Sequence, residues 1–116
     1  MKLVRIQDKF GRGPWRPGFS RQWLSEDGPP LPPAIQETVP NFPALVARAH
    51  EKGLHIGCAC READMGKWVQ PSEMRRLVDH GFRLVNATQC KILAEDENQV
   101  LIASRKPFRA LPRVKT

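Results

Sequence analysis

The residues with the most obvious capacity for chemistry form an acidic turn near the C-terminus. Glu95, Asp96 and Glu97 are consecutive, and Gln99 directly precedes an apolar run at residues 100–102. Two such carboxylates could act together as a general acid and a general base. Three consecutive carboxylates in a hairpin turn are, however, more typical of a solvated loop. The turn therefore remains open to both interpretations.

A second group of reactive side chains combines one histidine with the three cysteines. His55, Cys58, Cys60 and Cys90 would offer zinc an imidazole and soft sulfur ligands. On a strand, His55 would point away from Cys58 and Cys60, which would separate these ligands. We therefore interpret the thiols as small buried side chains and predict no metal site. An odd number of cysteines also argues against a disulfide framework and indicates a reducing compartment.

The net charge of +7 is concentrated at the two ends of the chain. Residues 1–24 carry a charge of +5 and residues 105–116 another +5, whereas residues 25–104 sum to −3. Such ends can attract nucleic acid or an acidic protein surface, although basic ends can also serve solubility alone. The candidate binding residues are the basic side chains of both ends and one tryptophan: Arg5, Arg12, Trp15, Arg16, Arg21, Arg105, Lys106 and Arg109.

A glycine- and proline-rich segment at residues 11–18 follows the first apolar run. It could expose backbone N–H groups and two arginines to an anionic ligand, but it lacks the third glycine of a dinucleotide-binding fingerprint. Alternatively, it is a turn that folds Trp15 onto the core. Trp15 and Trp23 interleave with arginines in a way that suits single-stranded nucleic acid, whereas we expect Trp68 to pack in the core.

The pattern of apolar residues predicts short elements on either side of a long loop. Leu3–Gln7 is predicted to be a strand, and the prolines of residues 9–40 forbid a regular helix there, although Trp15, Phe19, Trp23 and Leu24 should pack on the core. Helices are predicted at residues 42–52, capped by Asn41, at 62–69, and at 71–80 with Met74, Leu77 and Val78 inward. Further strands are predicted at residues 54–60, 82–85, 88–93 and 99–104, the last two as an antiparallel hairpin.

Strands at both ends with helices between them predict a single α+β domain over residues 1–104, followed by a basic C-terminal tail at residues 105–116. The N-terminal strand is expected to pair with the C-terminal hairpin, which would bring the two basic ends together. No apolar run approaches the roughly 20 residues that a membrane span needs. We therefore expect a cytoplasmic protein that does not contact membranes.

The strand Leu3-Val4-Arg5-Ile6, the helices and strands of residues 41–81 and the closing Gln99-Val100-Leu101-Ile102 resemble a reduced ADP-ribosyltransferase fold. The resemblance implies NAD as a cofactor, with Arg5 on its phosphates and with Glu97 and Gln99 in the Glu-x-Glu motif that carries the catalytic carboxylate. An amide at Gln99 lacks the negative charge that stabilises a cationic transition state. Loss of such a charge lowers the catalytic rate by about 100- to 1000-fold. A binding protein without a cofactor is thus predicted, and an NAD-dependent transferase or nucleotide-binding enzyme is the alternative.

The Arg-bearing first strand, the following Gly-x-Gly-Pro-aromatic-Arg and the closing Gln-Val also resemble short proteins of bacteriophage genomes. This resemblance implies a phage accessory protein that binds and inhibits a host nucleic-acid-handling complex, as in an anti-CRISPR or similar counter-defence role. Its partner would be a host protein or ribonucleoprotein complex in the host cytoplasm, with nucleic acid as a further contact. A structural accessory protein of a virion is another alternative.

Overall fold

A five-stranded antiparallel sheet is the framework of the protein, and the computed structural model describes residues 2–14 and 31–114. The strands are β1 (Leu3–Gln7), β2 (His55–Arg61), β3 (Arg83–Asn86), β4 (Lys91–Glu95) and β5 (Val100–Ser104). Their order in the sheet is β3-β1-β2-β5-β4. Short helices lie before and after β2 in the chain, so the predicted α+β class is confirmed.

The position of β1 corrects one prediction. β1 pairs with β2 and β3, for example through Val4 opposite Cys60 and Arg5 opposite Val85. It does not pair with the hairpin of β4 and β5, because β2 lies between them and pairs with β5. β2 suits this central place because residues 56–60 carry no charge and are mostly small, so both faces of the strand can be covered.

Three short α-helices and two 3-10 helices complete the described chain: α1 (Ile35–Thr38), α2 (Phe42–Glu51), α3 (Pro71–Asp79), η1 (Glu62–Lys67) and η2 (Phe108–Ala110). α1 corrects the prediction that prolines exclude any helix up to residue 40, since the stretch after Pro33 is free of proline until Pro40. The predicted helix at residues 62–69 is a 3-10 helix and not an α-helix.

The ends of α2 and the inner face of α3 also differ from the predicted pattern. Asn41 occupies the N-cap position of α2 in a left-handed conformation and makes no side-chain capping bond. Val78 of α3 is 54% exposed, not inward, because the helix buries the stripe of Glu73 and Leu77 with Met74 beside it. Glu73 also accepts a hydrogen bond from the backbone N–H of Gln70 at 2.8 Å, which closes the first turn.

The two faces of the sheet are covered by different parts of the chain. The helical face packs Ile6 against Leu77 of α3, and Ile56 and Leu101 against Ile35 of α1. The opposite face, which we call the terminal face, is covered by the C-terminal segment. There Leu3, Ala59, Val100 and Ile102 form one core cluster with Phe108 and Leu111.

The C-terminal segment is part of the domain as far as residue 114. Phe108 and Leu111 are buried, whereas residues 105–116 were expected to form a basic tail after the domain. The residues after η2 bond to β3: the backbone N–H of Asn86 donates to the carbonyl oxygen of Pro112 at 2.8 Å, and the backbone N–H of Val114 donates to the carbonyl oxygen of Leu84 at 3.0 Å. These bonds continue the ladder along the outer edge of β3, where unpaired backbone groups would otherwise remain.

Several predictions concern residues 15–30, which lie outside the described part of the chain. They include the packing of Trp15, Phe19, Trp23 and Leu24. Among the helices of residues 2–14 and 31–114, none is both long enough and apolar enough to span a membrane.

Candidate nucleic-acid interface

A cleft of about 590 Å³ opens where the two basic ends of the chain meet. Its walls come from three segments: residues 10 and 11 after β1, His50 with residues 54–56 at the start of β2, and residues 107–109 in and before η2. We call it the basic cleft. Its volume falls within the roughly 300–1,000 Å³ that is usual for ligand sites.

The first wall is a tight turn that holds the ring of Phe10 in solvent. The Asp8 carboxylate accepts hydrogen bonds from the backbone N–H groups of Phe10 and Arg12, both at 2.9 Å. Gly11 completes the turn with a φ of +85°, a left-handed conformation that favours glycine. Phe10 is 61% exposed, so the turn fixes a large aromatic ring at the rim of the cleft.

Two cations lie near this ring, and no carboxylate lines the cleft in the part of the chain that the structure describes. The Nζ of Lys9 lies 5.1 Å and the Cζ of Arg12 5.0 Å from the ring centre of Phe10. Arg12 also pairs with Asp8, Nε to Oδ2 at 3.1 Å. Burial alone would raise the pKa of Asp8, but the hydrogen bonds from Arg12 and Phe10 outweigh it and hold that pKa below its ordinary value. Asp8 is therefore ionised at neutral pH and offsets part of the charge of Arg12.

The second basic end reaches the cleft through η2. A Cβ placed on Gly11 would lie 3.0 Å from the backbone nitrogen of Arg109 and 3.4 Å from the Cβ of Phe108, so the two segments are in direct contact. Arg109 lines the cleft and is exposed. Arg105 and Lys106 are also exposed and follow Ser104, which pairs with His55 across the sheet. Positive charge thus continues from the cleft along the end of β5.

Arg5 contacts both the Gly11 wall and the Phe108 wall of the cleft. Its guanidinium donates to the carbonyl oxygen of Cys58 at 2.7 Å and to that of Gly11 at 2.9 Å, and its Cζ lies 4.7 Å from the ring centre of Phe108. Its Nε donates to Gln7 Oε1 at 3.1 Å, while Gln7 Nε2 donates to the carbonyl oxygen of Phe108. The contacts of Arg5 and Gln7 therefore position the cleft walls.

The environment of Arg5 is unusual for a cation. Burial lowers the pKa of its guanidinium, and the nearby Cys58, Cys90 and Asp8 oppose that effect. In the described part of the chain, backbone carbonyls and the face of an aromatic ring, and no carboxylate, contact this charge directly. An arginine keeps its proton in such a site because its ordinary pKa is far above neutral, so the charge is retained beneath the cleft.

The acidic turn is a structural connection between the hairpin and α1. Asp96 accepts hydrogen bonds from the backbone N–H groups of Asn98 and Gln99, at 2.7 and 2.9 Å, and from the hydroxyl of Thr38. The buried Gln99 amide donates to the carbonyl oxygen of Pro33 at 2.8 Å and to Asp96 Oδ2 at 3.1 Å. The amide of Gln99 is thus occupied by contacts that hold residues 33–38 against the turn.

The structure does not bring Arg5 and Gln99 to one cleft. Arg5 extends from the terminal face of the sheet towards Phe108. Gln99 shares the side of β5 with Leu101, which packs on the helical face. Glu97 is exposed in the turn, where its backbone carbonyl accepts from Lys67 Nζ at 3.2 Å. Of the three residues named by the transferase resemblance, Arg5 and Gln99 therefore lie on opposite faces of the sheet, and Glu97 lies in the exposed turn.

The cysteines are free thiols with distinct surroundings. Cys90 is buried in the core of the terminal face, whereas Cys58 packs on the helical face. Burial raises the pKa of Cys60 to about 11, with a further rise from Asp64 and an opposing effect of Arg61. His55 lines the basic cleft instead of joining these thiols. No group of three or more metal-binding side chains occurs among the described residues.

Of the predicted binding residues, Arg109 lines the basic cleft and Arg12 lies beside Phe10 at its rim, while Arg105 and Lys106 are exposed after β5. Trp15, Arg16 and Arg21 belong to the part of the chain that is not described. Phe10 and His50 were missed by the reasoning from sequence. Phe10 carries a local signal, since it stands between Lys9 and a Gly-Arg-Gly turn, but nothing local connects it to His50.

No protein family, curated protein or solved structure matches this chain in comparisons of sequence and structure. The resemblances to ADP-ribosyltransferases and to phage proteins therefore rest on short motifs and stay predictions.

Proposed function

We propose that this protein binds nucleic acid through the basic cleft. The observation that carries the proposal is the meeting of the two basic ends, with Arg12 beside one wall of the cleft and Arg109 in the other. Cations gathered on one surface bind a phosphate backbone by releasing condensed counterions. Among the described residues no carboxylate lines the cleft, and the nearby Asp8 offsets only part of the charge of Arg12.

A polymeric anion fits the surface better than a small one. The basic residues continue beyond the cleft through Arg105 and Lys106, which are exposed after β5. A single phosphate could contact only some of these side chains, whereas a strand of nucleic acid presents a phosphate at each nucleotide. The affinity should therefore depend on the number of phosphates and fall steeply with salt.

Fluorescence anisotropy of a labelled oligonucleotide over a salt titration tests the proposal. Arg109→Glu should weaken binding about tenfold or more and reduce the slope of log K against log salt by about 1. Arg75→Glu is the matched control, since Arg75 is an exposed residue of α3 and its reversal changes the net charge equally. Equal losses for both variants, or an affinity insensitive to salt, would show that the cleft is not the binding surface.

We further propose that binding interferes with a nucleic-acid-handling complex of a host, in the host cytoplasm, which is the role implied by the phage resemblance. A pull-down from host extract, with and without nuclease, separates a protein partner from a nucleic-acid bridge. A stoichiometric partner that persists after nuclease and is lost with Arg109→Glu supports this role. Recovery of nucleic acid alone would limit the function to nucleic-acid binding.

A further inference from the structure

We infer that the basic cleft takes a single-stranded segment of nucleic acid, with a base stacked on the ring of Phe10. The inference rests on the proposed function and narrows it from phosphate attraction to recognition of exposed bases. The ring of Phe10 is 61% exposed, while the backbone of its turn is held by hydrogen bonds to Asp8. A single exposed apolar side chain is common on protein surfaces and does not by itself indicate a ligand. The residues around Phe10 indicate which ligand it binds.

The turn that carries Phe10 is preorganised. Two bonds to the Asp8 carboxylate hold the turn. In addition, the backbone N–H of Asp8 donates to the carbonyl oxygen of Arg12 at 2.9 Å, and the backbone N–H of Gly11 donates to the carbonyl oxygen of Asp8 at 3.0 Å. Arg5 anchors the same turn through the carbonyl oxygen of Gly11. A turn whose backbone is already held by hydrogen bonds loses little further backbone entropy when a ligand stacks on its aromatic side chain.

The chemistry around the ring matches a nucleotide. A base offers a flat π surface to the ring of Phe10 or to the guanidinium plane of Arg12, while Lys9 and Arg109 can meet the phosphates on either side. An acidic peptide would satisfy the cations but would leave the aromatic ring without a flat partner. The combination of ring and cations therefore favours nucleic acid over a carboxylate-rich protein segment.

The concave shape favours a single strand over a duplex. Bases in a duplex are stacked on one another and present only their edges, whereas a single strand can turn a base out of its stack. A cleft of about 590 Å³ beside an exposed ring suits such a base. Stacking on an aromatic side chain is tolerant of sequence because every base has a π face, so little sequence preference is expected.

The test compares Phe10→Ala, Phe10→Trp and the control Val78→Ala, which removes an exposed apolar side chain on α3. The probes are a labelled oligothymidylate, an abasic strand of equal length and charge, and a duplex. Phe10→Ala should weaken binding of the oligothymidylate by about tenfold without affecting the abasic strand, whereas Phe10→Trp should retain binding. Circular dichroism of each variant checks that the fold is unchanged.

The outcomes separate this inference from the proposed function. If Arg109→Glu weakens binding but Phe10→Ala does not, the cleft binds phosphates and base stacking is overturned. If neither variant weakens binding, the proposed function itself fails. Equal affinity for duplex and single strand, or competition by polyglutamate as strong as by the oligothymidylate, would also overturn the inference. Competition by thymidine monophosphate alone, with no gain from a longer strand, would identify a mononucleotide site instead.

Discussion

At the scale of single residues, Arg5 shows how a cation can serve the fold through contacts with uncharged groups. Its guanidinium contacts two backbone carbonyls, the amide of Gln7 and the ring of Phe108. If Arg5 is removed, the carbonyl oxygens that accept its hydrogen bonds are left without a donor. Each unsatisfied acceptor lowers the free energy of unfolding. The same contacts tie β1, β2 and both walls of the basic cleft together, so Arg5 affects binding through position.

Arg5→Met tests this role because methionine can fill part of the volume but cannot donate hydrogen bonds. The free energy of unfolding should fall by about 2–4 kcal/mol, since the carbonyl oxygens of Gly11 and Cys58 lose their donor. Urea denaturation measures the change, with exposed Arg75→Met as a control expected within about 0.5 kcal/mol of the wild type. An equally small change for both variants would mean that the network contributes nothing to stability.

At the scale of elements, the acidic turn depends on an ionised carboxylate at Asp96, and the central strand β2 depends on a glycine at position 57. Burial alone would raise the pKa of Asp96, but hydrogen bonds from Thr38, Asn98 and Gln99 outweigh it and lower that pKa below its ordinary value of 3.8. A lowered pKa means that the folded state stabilises the ionised form. This contribution is present above pH 3.8 and is lost as the pH falls through the lower pKa of the folded state.

Asp96→Asn should therefore lower the free energy of unfolding at neutral pH by about 1–3 kcal/mol, because the turn loses charge-assisted hydrogen bonds. The difference from the wild type should shrink as the pH falls below 3.8. Urea denaturation at several pH values measures both effects. Glu97→Gln removes an exposed carboxylate from the same turn and should leave stability nearly unchanged. A pH-independent deficit for Asp96→Asn would contradict this assignment.

Within β2, Gly57 is required because Arg5 and Phe108 occupy the space of a side chain. A Cβ at this position would lie 2.6 Å from Phe108 Cε2 and 3.0 Å from Arg5 Nη1. Gly57→Ala should cost about 1–3 kcal/mol of stability through overpacking and should weaken binding at the basic cleft by displacing Phe108. Gly66→Ala is the control, since no atom of the described residues lies within 4 Å of a Cβ built at this position. Equal unfolding midpoints for the two variants would refute the prediction.

At the scale of the whole molecule, the C-terminal segment completes both the core and the cleft. Phe108 and Leu111 are only 7% and 9% exposed, and residues 112–114 bond along the edge of β3. A chain ending at residue 104 should therefore lose its cooperative unfolding transition, whereas a chain ending at residue 114 should retain it. Circular dichroism on thermal unfolding distinguishes the two. A folded chain of 104 residues would show that the segment is an independent tail.

Local sequence patterns were sufficient for much of the fold. The bounds of β1 agree with the prediction, and the C-terminal hairpin was predicted from two apolar runs around a polar turn. These elements depend on periodicity and turn chemistry within a few residues. Val78 was assigned wrongly because the helical pattern allows two adjacent stripes, and only the position of the sheet selects one of them.

What the sequence determined by itself is the inventory of the molecule: an α+β composition, most of its elements and two basic ends. The tertiary structure decided the strand order, the engagement of Arg5 and Gln99 in structural contacts, and the meeting of Phe10 with Arg109 at one cleft. The physical reason is that these features depend on contacts between residues far apart in the sequence. Contacts such as Gln7 with Phe108 join residues about a hundred positions apart, and which distant segments pack together depends on the competition of all buried surfaces, which no local pattern encodes.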